Sequence, residues 1–261
     1  MADLNPETQK SIAPEKKPLW FKLLAELFGT FILVFFGVLI GVMFNSTSST
    51  DNWAKLTAIC LVWGLTVTAL CYAIGGISGC QLNPSVSIAM ALDKRMTWKE
   101  VALYVIAQVI GATLAGLLAV GIFRDMVGNV ASTTVNAAAF ALADTGAEFI
   151  GAEFIGLILE CLVTAVFVYF ILVISADAKY SKISGLAIGL ILWLAIAVLF
   201  NFTGGSLNAA RSLGTALSAM IVGEFDPIKE IWVYIVGPTL GGVVAFGFYK
   251  LFNKSKLAKL A

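Results

Sequence analysis

Residues 78–92 read SGCQLNPSVSIAMAL and residues 204–217 read GGSLNAARSLGTAL. Each stretch puts a glycine-bearing loop ahead of an asparagine and a short, largely apolar run behind it. Asparagine is among the best N-cap residues because its side-chain oxygen accepts a helix-start N–H, so helices are predicted to begin at Asn83 and Asn208. The runs that follow, Asn83–Leu92 and Asn208–Val222, fall short of the about 20 residues a helix needs to cross the hydrocarbon of a bilayer. Each predicts a helix that spans only part of a membrane.

The surrounding sequence supplies the membrane. The chain has 261 residues, 59% hydrophobic and 13% charged, against roughly 25% charged in an average soluble domain. Its mean hydropathy is +0.93. Apolar runs long enough to cross lie near 19–44, 54–76, 98–123, 150–175, 184–202 and 229–252. The fold class predicted is all-α, with six transmembrane helices and two re-entrant half-helices. Residues 1–18 form a polar leading segment, 19–252 one channel-sized domain, and 253–261 a short tail. The apolar run after residue 18 is too long for the central region of a cleavable signal peptide, so the first span is expected to stay in the mature chain.

Charge fixes an orientation and excludes other classes. If the spans alternate, the basic residues of 10–22, 94–99, 179–182 and 250–259 fall on one side, leaving Lys55, Arg124, Arg211 and Lys229 elsewhere. By the positive-inside rule both termini are expected in the cytoplasm of a cell whose plasma membrane holds the chain. Net charge is +1, and no basic patch interleaves with aromatics, so no nucleic-acid partner is expected. The four cysteines lack metal-ligand spacing and the chain has no histidine. Neither a metal, a cofactor nor an enzyme activity is expected.

The two halves repeat. Glu26 and Thr30 match Glu160 and Thr164, Asn83 matches Asn208, and YVIAQVIGA from Tyr104 matches YIVGPTLGG from Tyr234. Copies of about 19–123 and 147–252 hold three spans each, so the second copy is inverted. Inverted repeats place their shared site near the midplane, and irregular backbone at that depth must be buried in protein or line a wet cavity. Two facing half-helices therefore predict a channel or a binding site.

AELFGTF in the first span, SGCQLNPSVSIAMAL, AQVIGATLAG, GGSLNAARSLGTAL and VGPTLGG together resemble the aquaporin family, also called the major intrinsic proteins, over nearly the whole chain. The resemblance implies half-helices meeting at their N-terminal ends, with the amides of Asn83 and Asn208 donating into a narrow pore. It also implies an acceptor ladder of carbonyls from Gly79, Cys80, Gln81 and Leu82 on one side and Gly204, Gly205, Ser206 and Leu207 on the other, and a homotetramer with one pore per subunit. Opposed helix N-termini put partial positive charge at the pore centre, which opposes cations and protons. The family's usual Asn-Pro-Ala stands here as Asn83-Pro84-Ser85 and Asn208-Ala209-Ala210. Proline suits the first helical position because no N–H is needed there, so Ala209 is expected to loosen that turn without abolishing the half-helix. Gln81 replaces a common histidine and removes any titratable gate there.

Arg211 matches the arginine of the family's outer constriction. A central arginine costs roughly 3 kcal/mol on insertion scales, which makes an intramembrane one a functional hypothesis. Counted from the asparagines, the other constriction positions fall on Trp63, Ile196 and Gly205, a set similar to the glycerol-conducting branch. Ser212 and Ala216 resemble the water channels instead, and Tyr234 with Ile235 is mixed. The expected activity is passive conduction of water and small uncharged solutes such as glycerol, with a strict water channel as the alternative. A proton-coupled transporter using Glu26 or Glu160 is a further one. The matched places of these carboxylates instead predict structural support: each accepts backbone N–H groups of a re-entrant loop, with Gln108 assisting beside the first. The pairs Gly37/Gly41, Gly185/Gly189 and Gly237/Gly241 predict close helix crossings.

Overall fold

The computed structural model of the protein describes residues 17–45, 52–127, 133–137 and 151–257. Most of the leading segment and the tip of the tail lie outside these. Helices α1 (Leu19–Asn45), α2 (Asn52–Ser78), α4 (Trp98–Val127), α5 (Ala152–Ser175), α6 (Ser184–Thr203) and α9 (Ile231–Leu257) are the long apolar ones. Among the described residues, six helices are thus long and apolar enough to cross a membrane. Between them lie the short α3 (Pro84–Leu92) and α7 (Ala209–Ala219), and a one-turn α8 (Asp226–Lys229). The described residues contain no strand.

Following the spans in alternation puts the start of α1, the loop after α3 and the end of α9 on one face, called here the terminal face. Arg95 ties that face together: it donates to Ser175 Oγ at 2.7 Å, to the Leu172 carbonyl at 3.1 Å and to Tyr249 Oη at 3.2 Å. On the opposite face, Val135 N–H donates to Glu230 at 2.6 Å and Asn136 N–H to the Phe202 carbonyl at 2.7 Å. The expected sixth span, 229–252, begins two residues late. Pro227 opens the separate turn α8, and the chain breaks at Glu230, whose carboxylate faces Val135.

Half-helix lengths follow from residue count. At about 1.5 Å per residue, α3 with 9 residues and α7 with 11 reach about 14 and 17 Å, together close to the about 30 Å of a hydrocarbon core. Small residues let them pack deep. A Cβ on Gly214 of α7 would overlap Ala112 of α4, and one on Gly242 of α9 would stand 2.7 Å from the Ser85 carbonyl of α3. Gly189 and Gly241 approach the backbones of α2 and α5 as the paired spacing predicts. Gly37 differs: its open side receives the indole of Trp63, so the glycine seats a side chain rather than a helix crossing. Large side chains such as Ile158, Leu194 and Phe248 point outward, as lipid-facing positions do.

Candidate functional site: two helix tips and a lined cavity

The loops before α3 and α7 turn by the same backbone device. Gly79, Cys80 and Leu82 have φ of 91°, 50° and 51°, and Gly204, Gly205 and Leu207 have 74°, 59° and 54°. Non-glycine residues enter this region only when surroundings over-determine them, at about 1–3 kcal/mol each. Two buried carboxylates supply that determination. Glu26 accepts from Ser78 Oγ (2.6 Å), Gln81 N–H (2.9 Å), Leu82 N–H (2.7 Å) and Gln108 Nε2 (2.8 Å). Glu160 accepts from Thr203 Oγ1 (2.7 Å), Ser206 N–H (2.9 Å) and Leu207 N–H (2.8 Å). Tyr104 donates to the Ser78 carbonyl and Tyr234 to the Thr203 carbonyl, each at 2.9 Å. Each carboxylate thus holds its loop through one hydroxyl and two backbone N–H groups, and Gln108 adds a fourth donor at Glu26, where the matching position in the second copy is Pro238.

The tips meet. Asn83 Oδ1 accepts Ser85 N–H at 2.9 Å, and Asn208 Oδ1 accepts Ala210 and Arg211 N–H, both at 3.1 Å. Each amide nitrogen then reaches across: Asn83 Nδ2 donates to the Leu207 carbonyl at 2.8 Å and Asn208 Nδ2 to the Leu82 carbonyl at 2.7 Å. This crossed pair was not foreseen from the sequence. A side-chain amide carries two donor hydrogens, so each asparagine keeps a second one, and both residues line the same cavity.

That cavity has a volume of about 80 Å3, well above the roughly 10–15 Å3 that a cavity needs to hold a water. Its polar wall comprises Gly79, Cys80, Gln81 and Leu82 on the terminal side and Gly205, Ser206, Asn208 and Arg211 beyond them. Of the expected ladder, Gly204 and Leu207 are not part of this wall, and the Leu207 carbonyl is occupied by Asn83. Gln81 turns its Nε2 to Met96 Sδ at 3.4 Å. The facing wall is apolar, with Leu33, Val67, Val86 and Phe167 among its residues.

Trp63, Ile196, Gly205 and Arg211 all line this cavity, Trp63 against Arg211 and Ile196 against Gly205. The guanidinium carbon of Arg211 lies 4.6 Å from the ring centroid of Trp63, within cation–π range. A Cβ on Gly205 would stand 2.9 Å from the Ile196 carbonyl, so only glycine fits there. Arg211 is 7% exposed, and its Nε and Nη1 have no hydrogen-bond partner among the described residues. Thr133 was missed by sequence reasoning: its hydroxyl meets Ser212 at 2.7 Å, and Ser212 in turn meets Ser206. A loop residue 79 positions away carries no local signal of that contact. Among the described residues no cluster of potential metal ligands occurs.

Comparison with known proteins gives one family. The model of the family described as Major intrinsic protein matches residues 14–249. Aquaporin NIP1-1 of Oryza sativa subsp. japonica is 34% identical over 237 residues, 90% of this chain and 75% of its own. Glycerol uptake facilitator protein-like 6 of Lactiplantibacillus plantarum is 37% identical over 225 residues, 86% of this chain and 94% of its own. The X-ray structure of the aquaglyceroporin from Plasmodium falciparum superposes with a TM-score of 0.76 at 26% identity, covering 94% of this chain and all of that one.

Proposed function

The chain belongs to the major intrinsic protein family, a family of channels, and from that membership we propose that its pore conducts water and three-carbon polyols while rejecting ions and protons. It is a channel for water and small solutes; the finer assignment rests on the cavity. The observation that carries it is the Arg211 guanidinium, whose Nε and Nη1 have no hydrogen-bond partner among the described residues, set beside the Trp63 ring in the cavity wall. A polyol has a carbon face for the indole and hydroxyls for the guanidinium. Asn83 and Asn208 each add a spare amide hydrogen at the midplane. The N-terminal ends of α3 and α7 there carry partial positive charge, which sets a barrier to cations and hydronium.

A proton-coupled mechanism finds no support in the carboxylates. Both oxygens of Glu26 and of Glu160 are taken by loop donors, and neither residue lines the cavity. The basic residues Lys22, Lys94, Arg95, Lys99, Lys182 and Lys250 on the terminal face favour its placement in the cytoplasm of a cell bounded by this membrane. A homotetramer follows by likeness to the family. The test is stopped-flow light scattering on proteoliposomes, comparing water with glycerol and dihydroxyacetone. Rapid passage of both solutes supports the wide filter; rapid water without either solute would reassign the pore as strictly aqueous.

A further inference from the structure

Gly205 and Arg211 each have a serine as the next residue, Ser206 and Ser212. The two hydroxyls bond to each other, and Ser212 Oγ also meets Thr133 Oγ1 at 2.7 Å. Ser206 Oγ donates to the Asn208 carbonyl at 3.0 Å. A hydroxyl carries one proton, so with that of Ser206 given to Asn208, Ser212 must donate to Ser206 and Thr133 to Ser212. Thr133 thus heads a one-way row that ends in the backbone at the tip of α7. It is 2% exposed and does not line the cavity. Its segment is pinned beside the loop: Asn136 N–H donates to the Phe202 carbonyl at 2.7 Å, and a Cβ on Gly204 would stand 3.3 Å from Thr133 Cγ2.

The first copy fills the same place differently. Ser87 follows Asn83 at the spacing by which Ser212 follows Asn208, and its hydroxyl accepts from Gln108 Nε2 at 3.4 Å. Pro238 stands where Gln108 does and has no side-chain donor. Gln81, in the place of Ser206, turns to Met96 instead. The donor lost with Pro238 is therefore replaced by Thr133, from the connection between the two copies, on the side that carries Gly205 and Arg211. We propose that Thr133 is a positioning residue that determines specificity: through Ser212 and Ser206 it fixes the spacing of Gly205 and Arg211, and with it the ratio in which polyol and water pass. A polyol must meet the Trp63 face and the Arg211 N–H groups together, whereas water needs hydrogen bonds alone. Displacing Arg211 thus costs the polyol more. This role rests on the polyol reading of the pore.

The test uses the full chain in proteoliposomes, with glycerol and water permeabilities taken as a ratio and proton flux recorded alongside. Thr133→Val removes the hydroxyl at nearly constant volume. It should lower the ratio about three- to tenfold, the effect of one hydrogen bond, while Thr133→Ser keeps the parent's ratio. Ser212→Ala should lower it as far, and the double variant no further, because both cut one row. Thr113→Val, which removes a hydroxyl bonded within α4, should leave the ratio unchanged. An unaltered ratio in Thr133→Val, a lowered one in Thr133→Ser, or an equal fall of both fluxes overturns the role; should Thr133→Val not fold, Ser212→Ala and Thr133→Ser decide it. A parent that passes water without glycerol contradicts the polyol reading instead. The row is then decided by proton flux, which a displaced Arg211 raises in Thr133→Val and not in Thr133→Ser.

Discussion

Arg211 holds a full charge in a buried position, and its Nε and Nη1 have no acceptor among the described residues. Stability alone does not account for that, since a buried donor left unsatisfied costs about 1–3 kcal/mol. A passing hydroxyl relieves the cost for as long as it stays, which gives affinity without permanence. Arg211→Ala should therefore keep water flux and raise proton or cation leak, read with a pH-sensitive dye inside proteoliposomes; unchanged selectivity would contradict a role for Arg211 in rejecting ions. The neighbouring ring is set by a residue that touches no solute. A methyl on Gly37 overlaps the Trp63 indole, and overpacking of this kind costs about 1–3 kcal/mol. Gly37→Ala should swing the indole into the cavity and lower glycerol flux more than water flux; an equal fall in both would contradict that seating. Asn83, Asn208, Arg211 and the two glutamates were legible in the sequence because each is a polar letter in apolar text. Val67, Phe167 and Cys71 were not, since an aliphatic or thiol facing the cavity reads like one facing lipid.

The half-helices show how little sequence an element needs when its ends are held. Asn208 caps two N–H groups of α7 where Asn83 caps one of α3, so the helix lacking proline gains a second capping bond. The expected loosening at Ala209 is offset in this way. Neither of the capped N–H groups belongs to Ala209 itself, which leaves its position open to proline. Ala209→Pro should raise stability by about 0.4–1 kcal/mol through the unfolded chain, seen as a higher melting temperature in detergent; a lower one would mean the ring clashes with the crossed asparagine pair. Removing a carboxylate acts in the other direction. Glu26→Ala strands four donors at about 1–3 kcal/mol each, and the yield of folded protein should collapse, as measured by gel filtration. The existence of both half-helices was readable from their caps and length. Their crossed amide bonds were not, because a contact between residues 124 and 126 positions apart has no local pattern.

Across the whole molecule the inverted repeat decides where chemistry sits, and the loops decide what is added to it. Glu230 clamps the segment around Val135 on the face opposite the termini. Burial pushes its carboxyl above the ordinary carboxylate range, Glu153 and Asp226 push the same way, and the Val135 N–H partly offsets them. The folded protein thus binds that proton more tightly than the unfolded chain, so the ionised form costs stability at neutral pH. The cost is relieved as pH falls through the raised value toward the ordinary carboxylate range. Glu230→Gln should flatten that part of a curve of melting temperature against pH; an unaltered slope would remove Glu230 from the account. The repeat was visible in the matched motifs, whereas this clamp joins residues 95 positions apart across a loop with no motif. The central claim concerns the passage itself, and osmotic water flux recorded together with proton flux in the same vesicles tests it most directly. The account predicts rapid shrinkage with proton flux no higher than in empty vesicles; shrinkage at the empty-vesicle rate, or proton flux that rises in step with water, would contradict it.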